Sequence, residues 1–592
     1  MEKKSISISK LNNIIIPAAI VIVAGIIIAL CTDLYYDMND DIMLKEIISG
    51  QFTGKPSGYA IYILYPLAAG LALLSKLCPI VSWFGVFLVA SIMVSAYFVL
   101  VRCWQIIPKL TGKLLASALL VLAFTGMALY PSLFVQYSFV AAMLSGSGGM
   151  LLITADGSLK KKEFLISNIP AIILIILGFM LRWQMVVLIG PMIIIAGLTG
   201  WFNGRDNDYK PLSKENLLKF IYLAGIIIAL MIASFGIHKI AYSVNGWKEF
   251  EKYNKVRTEL YDFQKYYPLY EDYPELYNGA GITKEESLLL RNYNIAIDNS
   301  FDTKTLQTIV DYNDKELGIH YIKTSVSGLL SEYKYRLLSK VDWPWTIAAW
   351  ALYLICIVMA LLYKRFENLI EIAALFMART IGWFFPIIRG RLEVRVIDSF
   401  YICELLLLIG LLLIMLVKAL KKEESKKSSK IAVIVIASIL GIVFLVTSVT
   451  NIKNVINEKK RREEVNVCWE ELQTYCDNHS ENYYVLDVYS TVKYTQKIAG
   501  GKSSGLKNRE ICGGWANNSP IYAEKLSNYG VDNLEEQIVH NDNFYFVAYA
   551  NKDLTWLSDY YASKGTDIEL AETDRVGNGE HEFAIYAVSL KD

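Results

Sequence analysis

A polytopic α-helical membrane protein of about 11 transmembrane helices, with a small extracytoplasmic α/β domain at its C-terminal end, is the fold class that this sequence predicts. Three observations predict it. Apolar residues come in blocks of about twenty, the length at which a helix crosses a bilayer. The loops between alternate blocks collect lysine and arginine, as cytoplasmic loops do. Residues 451–592 lack such blocks after the first turns and alternate helical with strand-like runs.

Composition agrees. Of the 592 residues, 54% are hydrophobic and 19% charged, too apolar for a soluble chain of this length. A net charge of +1 leaves no bulk basic field, so nucleic acid is excluded as a partner. The 8 cysteines form no framework. Cys468 and Cys476 are eight apart in a helical pattern, roughly 12 Å along its axis and too far for a bridge.

Taken in order, the apolar blocks fall near 13–31, 81–101, 114–130, 135–155, 164–181, 183–200, 217–237, 345–363, 367–388, 397–417 and 431–450. Lys3, Lys4 and Lys10 precede the first, which puts the N terminus in the cytoplasm. The first block has no small-residue cleavage site and reads as a retained helix. Residues 60–77 are also apolar, but counting them as a span would invert every later loop. Eleven spans put Arg102, Lys109, Lys113, Lys160, Lys161, Lys162, Arg205, Lys210, Lys214, Lys364, Arg365 and the lysines of 418–430 inside. Residues 60–77 then read as a helix lying at the outer interface or re-entering it. Residues 1–450 form the transmembrane domain, with a first outer loop at 32–80 and a large one at 238–342. Residues 451–592 form the outer domain. Two basic groups oppose the scheme: Lys459 to Arg462, and Arg389, Arg391 and Arg395, all on the outer side.

The acidic run after the first span is the leading candidate for chemistry. On a helix Asp37 and Asp41 share a face, and Asp40 is offset by about a hundred degrees. One carboxylate would take a proton from a hydroxyl while a neighbour orients a substrate or tunes its pKa. The plainer reading is a solvated loop with a helix cap at Asn39 or Asp40. Arg389, Arg391 and Arg395 suit a phosphate at the membrane surface, since arginine offers paired N–H donors; the plainer reading is contact with lipid headgroups. Arg182, at the end of a span on the same side, is a further candidate. Tyr266 and Tyr267 open a tyrosine-rich stretch to Tyr277, suited to stacking on sugar faces or to anchoring the loop at the interface. The run at 500–505 lacks the spacing of a phosphate loop. With 5 histidines and no HExxH or CxxC pattern, no zinc site is indicated.

Together these features resemble the GT-C superfamily of membrane glycosyltransferases. The resemblance rests on Asp40-Asp41 directly after the first span, on Asn39 to Met43 and Ile48 to Pro56, and on Tyr65-Pro66 and Pro79 to Trp83. It covers about residues 10–450. It implies a bacterial plasma-membrane enzyme that moves a sugar from a polyprenyl-phosphate donor to an extracytoplasmic glycan, lipid or protein acceptor, with inversion. In that reading Asp40 or Asp41 is the general base. Arg389, Arg391, Arg395 and Arg182 hold the donor phosphate, and Tyr266 and Tyr267 touch the acceptor. A divalent metal, Mg or Mn, is left open. The chain departs from the oligosaccharyltransferases in having no WWD-type motif, which leaves the acceptor undefined. Two rival readings are an O-antigen-type polymerase or ligase, and a lipid-linked glycan transporter or flippase. The second would call for inverted repeats and broken midplane helices, and the sequence displays neither.

Overall fold

The computed structural model describes residues 8–204, 209–244, 246–319, 324–422, 427–499 and 508–591. The run at 500–505 therefore lies outside the described residues. Each of the eleven apolar blocks is helical. Among the described residues nine helices are long and apolar enough to cross a membrane, from Leu11–Cys31 to Ile431–Asn478. Lys161–Ser167 and Ile169–Leu181 together form a tenth, bent by 45°. The remaining block is the 17-residue helix Tyr137–Ile153. It is shorter than a usual span, and every one of its residues is buried. It is the central post of the bundle rather than a lipid-facing span. Tyr65–Leu77 has 13 residues, roughly 20 Å of helix, and is too short to cross.

Glycine lets the central post pack closely. A Cβ at Gly178 would lie 2.6 Å from the Ala141 carbonyl oxygen, and one at Gly146 would lie 2.9 Å from Cys403 Cα. At Gly148 it would meet the Ala171 carbonyl oxygen at 3.0 Å. Inside a membrane, where lipid removes much of the hydrophobic drive, such close backbone approach is what holds helices together.

The last span does not end at the membrane. Lys427–Asn478 is one helix of 52 residues, about 78 Å long, so the expected boundary at 450/451 falls inside a continuous helix. Beyond it lies a five-stranded sheet. Tyr483–Leu486 is flanked in parallel by Arg509–Ile511 and Phe544–Tyr549, and Phe583–Leu590 then runs antiparallel and carries Ile568–Val576 on its edge. Tyr483–Leu486, paired on both sides, is wholly buried, which explains why it reads as an unbroken apolar run.

This sheet domain is tied to the loops at 32–80 and 238–342. Tyr35–Tyr36 pairs in parallel with Phe134–Val135 and antiparallel with Gln496–Lys497. Lys497 lies 2.9 Å from Asp33, and Asn528 donates to the Thr53 carbonyl at 2.8 Å. From the large outer loop, Asn294 donates to Asp487 at 2.8 Å and Ala296 N donates to the Cys512 carbonyl at 2.7 Å. The basic group after the last span is accounted for here. Arg462 pairs with Asp37 at 2.6 Å and Glu458 at 2.7 Å, and Arg461 pairs with Glu458.

The packing of the central post is testable. Gly178→Val should destabilise the purified protein by about 1–3 kcal/mol, the range for overpacking, read as a lower unfolding temperature in detergent. Gly190→Ala, where an added Cβ meets nothing within 4 Å, should leave that temperature unchanged or slightly raised.

Candidate active site

The first outer loop turns into the helix Asn39–Ser49. Its start is built from the acidic run. Asn39 Oδ1 accepts from Asp40 N at 3.0 Å. Asp40 and Asp41 occupy the first turn, where the helix dipole favours negative charge. Gly50 ends it at φ 84°, a conformation that favours glycine.

The two neighbouring carboxylates have different surroundings. Asp41 points inward and is fully buried. Its Oδ1 accepts from Tyr137 N at 3.0 Å, in the first turn of the central post. Its Oδ2 has no partner among the described residues. Burial, and then the nearby Asp37 and Asp40, push its carboxyl well above the usual range, against the hydrogen bond from Tyr137. Asp37 is also raised by burial, opposed by Arg462. Asp40, about a hundred degrees around the helix, faces a cavity of about 1130 Å³. Its Oδ1 accepts from Trp515 Nε1 at 2.9 Å, and Arg395 lies 3.4 Å from its Oδ2.

The cavity lies between three parts of the chain. Membrane helices give Trp183, Met185, Leu188, Phe235, Phe385 and Pro386 from their ends. The loop at 238–342 gives a wall from Lys248 to Phe263, and the C-terminal region gives Trp469, Thr491, Gly513, Gly514 and Trp515. The Gly513-Gly514 turn brings Trp515 in: Gly514 has φ 101°, and a Cβ at Gly513 would strike the Tyr293 carbonyl oxygen. The indole then packs 4.9 Å from the Tyr62 ring.

The cations of the cavity differ in what they already hold. Arg389 pairs with Glu259 at 2.9 Å and lies over the Phe263 ring. Arg391 is 3.9 Å from Asp262. Arg257 is buried, donates to Tyr293 Oη at 2.7 Å and Tyr62 Oη at 3.2 Å, and lies 3.6 Å from Asp262. Arg182 is different. Its guanidinium lies 5.0 Å from the Tyr62 ring centre and 5.2 Å from that of Tyr137. It has no ion pair among the described residues, and its buried Nη1 has no hydrogen-bond partner.

The expected site residues are thus only partly brought together. Asp40, Arg182, Arg389, Arg391 and Arg395 line one cavity. Asp41 does not line it. Tyr266 and Tyr267 do not line it either. Tyr267 packs 5.1 Å from Tyr261, and the Tyr266 carbonyl accepts from Asn313; they build the loop itself. The cavity tyrosines are Tyr62, Tyr137, Tyr242, Tyr293 and Tyr494. Sequence reasoning missed Tyr62, Arg257, Tyr293 and Trp515. The Gly-Gly-Trp triplet was the available signal for the last; the others lie in segments with no local pattern.

A divalent metal does not fit the acidic pair. Asp40 and Asp41 face different ways, and the oxygens of Asp40 already meet an N–H donor and a guanidinium. No group of three His, Cys, Asp or Glu side chains able to hold a metal occurs among the described residues.

No family model matches the sequence, and no curated protein does. Among solved structures it is similar to the crystal structure of ArnT from Cupriavidus metallidurans bound to undecaprenyl phosphate. The identity is 11%, 97% of each chain is covered, and the TM-score is 0.37. A likeness that loose assigns neither fold nor function.

The inward carboxylate gives a prediction with a definite sign. Asp41 binds its proton more tightly folded than unfolded. From its unfolded value near 3.8 up through its raised folded value, the folded state therefore holds more protons, and stability falls as pH rises. Asp41→Asn keeps an acceptor for Tyr137 N and removes that slope. The variant's unfolding temperature should gain on the native protein's as pH is raised from 4 to 8. Parallel curves would mean that Asp41 is not buried as a carboxylate.

Proposed function

We propose that the protein is a glycosyltransferase that moves a sugar from a polyprenyl-phosphate donor to a hydroxyl of an extracytoplasmic acceptor. One observation carries the reading: an accessible carboxylate, Asp40, and an arginine with no ion pair, Arg182, face one cavity whose wall includes the ends of membrane helices. A cavity with a wall in the bilayer can take a substrate from the lipid phase. On the outer face of a bacterial plasma membrane, where free nucleotide is absent, a lipid-linked donor is the fitting source of an activated sugar.

In this mechanism the donor phosphate sits against Arg182, whose spare N–H donors receive it between two tyrosine faces. Arg389 and Arg391 already hold Glu259 and Asp262, so their contribution is to shape the wall. The acceptor hydroxyl gives its proton to Asp40 and attacks the anomeric carbon. The bond to the phosphate oxygen breaks, and polyprenyl phosphate leaves with its charge met by Arg182. A single displacement inverts the anomeric centre. Trp515 fixes Oδ1 of Asp40, which leaves Oδ2 to take the proton. Arg395 lies 3.4 Å from that oxygen. The N terminus is cytoplasmic in this scheme and the C-terminal domain extracytoplasmic.

Three measurements test the reading. Asp40→Asn should lower sugar transfer in membranes by about a hundred- to ten-thousand-fold with donor binding nearly unchanged. Near-normal transfer would remove Asp40 as the base. Arg182→Gln should weaken binding of a polyprenyl-phosphate sugar by about 1.5–3 kcal/mol; unchanged affinity would place the phosphate elsewhere. A reporter fused after residue 592 should be active only outside the cytoplasm, and cytoplasmic activity would put Asp40 on the wrong side for this chemistry.

A further inference from the structure

The carboxylates lining the cavity each have a cation. Asp40 has Arg395, Glu251 has Lys239 at 2.7 Å, Glu259 has Arg389, and Asp262 has Arg257 and Arg391. Glu46 has Lys45 at 3.9 Å. Four lining cations are left over. One is Arg182, and the others are Lys248, Lys252 and Lys255.

These three lysines stand on one helix, Trp247–Thr258, at positions i, i+4 and i+7. That spacing puts them on one face, and all three are exposed at the cavity. None has an ion pair among the described residues. Neighbouring like charges at such spacing repel one another, and Glu251, the nearest acid on the face, is turned to Lys239. Glu249, on the same helix, does not line the cavity. The helix begins a few residues past the end of the span Lys214–Ala241. Lys248 to Lys255 covers about 10 Å along the axis, more than one phosphate can bridge.

We propose that Lys248, Lys252 and Lys255 form a second phosphate-binding strip at the mouth of the cavity, separate from Arg182, which takes a diphosphate or two adjacent phosphate headgroups. Lysine binds phosphate as a point charge with three rotatable donors, so the strip selects charge density rather than one geometry. It does not depend on the sugar-transfer reading, since it follows from unpaired charge alone.

The test uses the full chain in nanodiscs of phosphatidylcholine, titrated with inorganic pyrophosphate and read by calorimetry. The triple variant Lys248→Gln, Lys252→Gln, Lys255→Gln changes only exposed side chains, and equal unfolding temperatures check that it folds. It should bind pyrophosphate at least tenfold more weakly than the native protein, whereas Arg182→Gln should keep a strip-bound equivalent of near-native affinity. Equal affinity in the triple variant and the native protein would overturn the proposal, as would absence of pyrophosphate binding by the native protein. Nanodiscs containing phosphatidylglycerol identify the source. If headgroups occupy the strip, phosphatidylglycerol weakens pyrophosphate binding to the native protein severalfold more than to the triple variant. If a diphosphate-bearing ligand occupies it, the two proteins respond to the lipid change alike.

Discussion

The hydrogen bond from Tyr137 N to the buried carboxylate of Asp41 is the constraint on which the candidate site depends. It joins the first turn of the juxtamembrane helix to the first turn of the central post. Two helix N-termini thereby meet at one buried carboxyl group, and the hydrogen bond offsets part of the cost of burying it. Because successive residues on a helix differ by about a hundred degrees, holding Asp41 inward forces Asp40 outward into the cavity. The rotation of the whole juxtamembrane helix is set by a side chain that never meets the cavity.

Charge pairing sets the rest of the geometry. An arginine with a carboxylate partner is committed to the wall; one without a partner keeps its donors available. Arg389 and Arg391 fall in the first class through Glu259 and Asp262, which come from a different outer segment. Their pairing fixes the large outer loop to the mouth of the helix Phe366–Ile388. Arg395 is divided between the two roles, since its partner is Asp40 itself. The aromatic faces around Arg182 supply cation–π attraction and, unlike a carboxylate, leave its Nη1 unclaimed.

The sequence was legible where one force dominates locally. Bilayer thickness imposes blocks of about twenty, so all eleven helical blocks could be placed, and Phe544–Tyr549 matches its strand-like run. The strand Ile568–Val576 escaped because it is an edge strand, mostly exposed and charged along Ile568-Glu569-Leu570-Ala571-Glu572. The continuity of Lys427–Asn478 escaped because polarity changes at the membrane surface while the helix does not. The site was legible as residue types after the first span, but not as pairs. Asp40 meets Trp515 across 475 positions of chain and Arg395 across 355, and no local pattern encodes such distances. Tyr266 and Tyr267 lie away from the cavity, and a tyrosine run gives no sign of whether its rings face a ligand or each other.

The 52-residue helix makes the outer domain a rigid extension of a membrane span. Its outer half is clamped to the acidic loop through Arg462 and Asp37, and the domain it leads into carries the indole that touches Asp40. About 40 Å of helix extends past residue 450, so a change in tilt of about 5° at the bilayer surface displaces its far end by roughly 4 Å. Tilt answers to the hydrocarbon thickness around a span. The fit of the roof over the carboxylate is therefore tied mechanically to the bilayer, and thicker or thinner membranes should be felt at Asp40 without any ligand being bound.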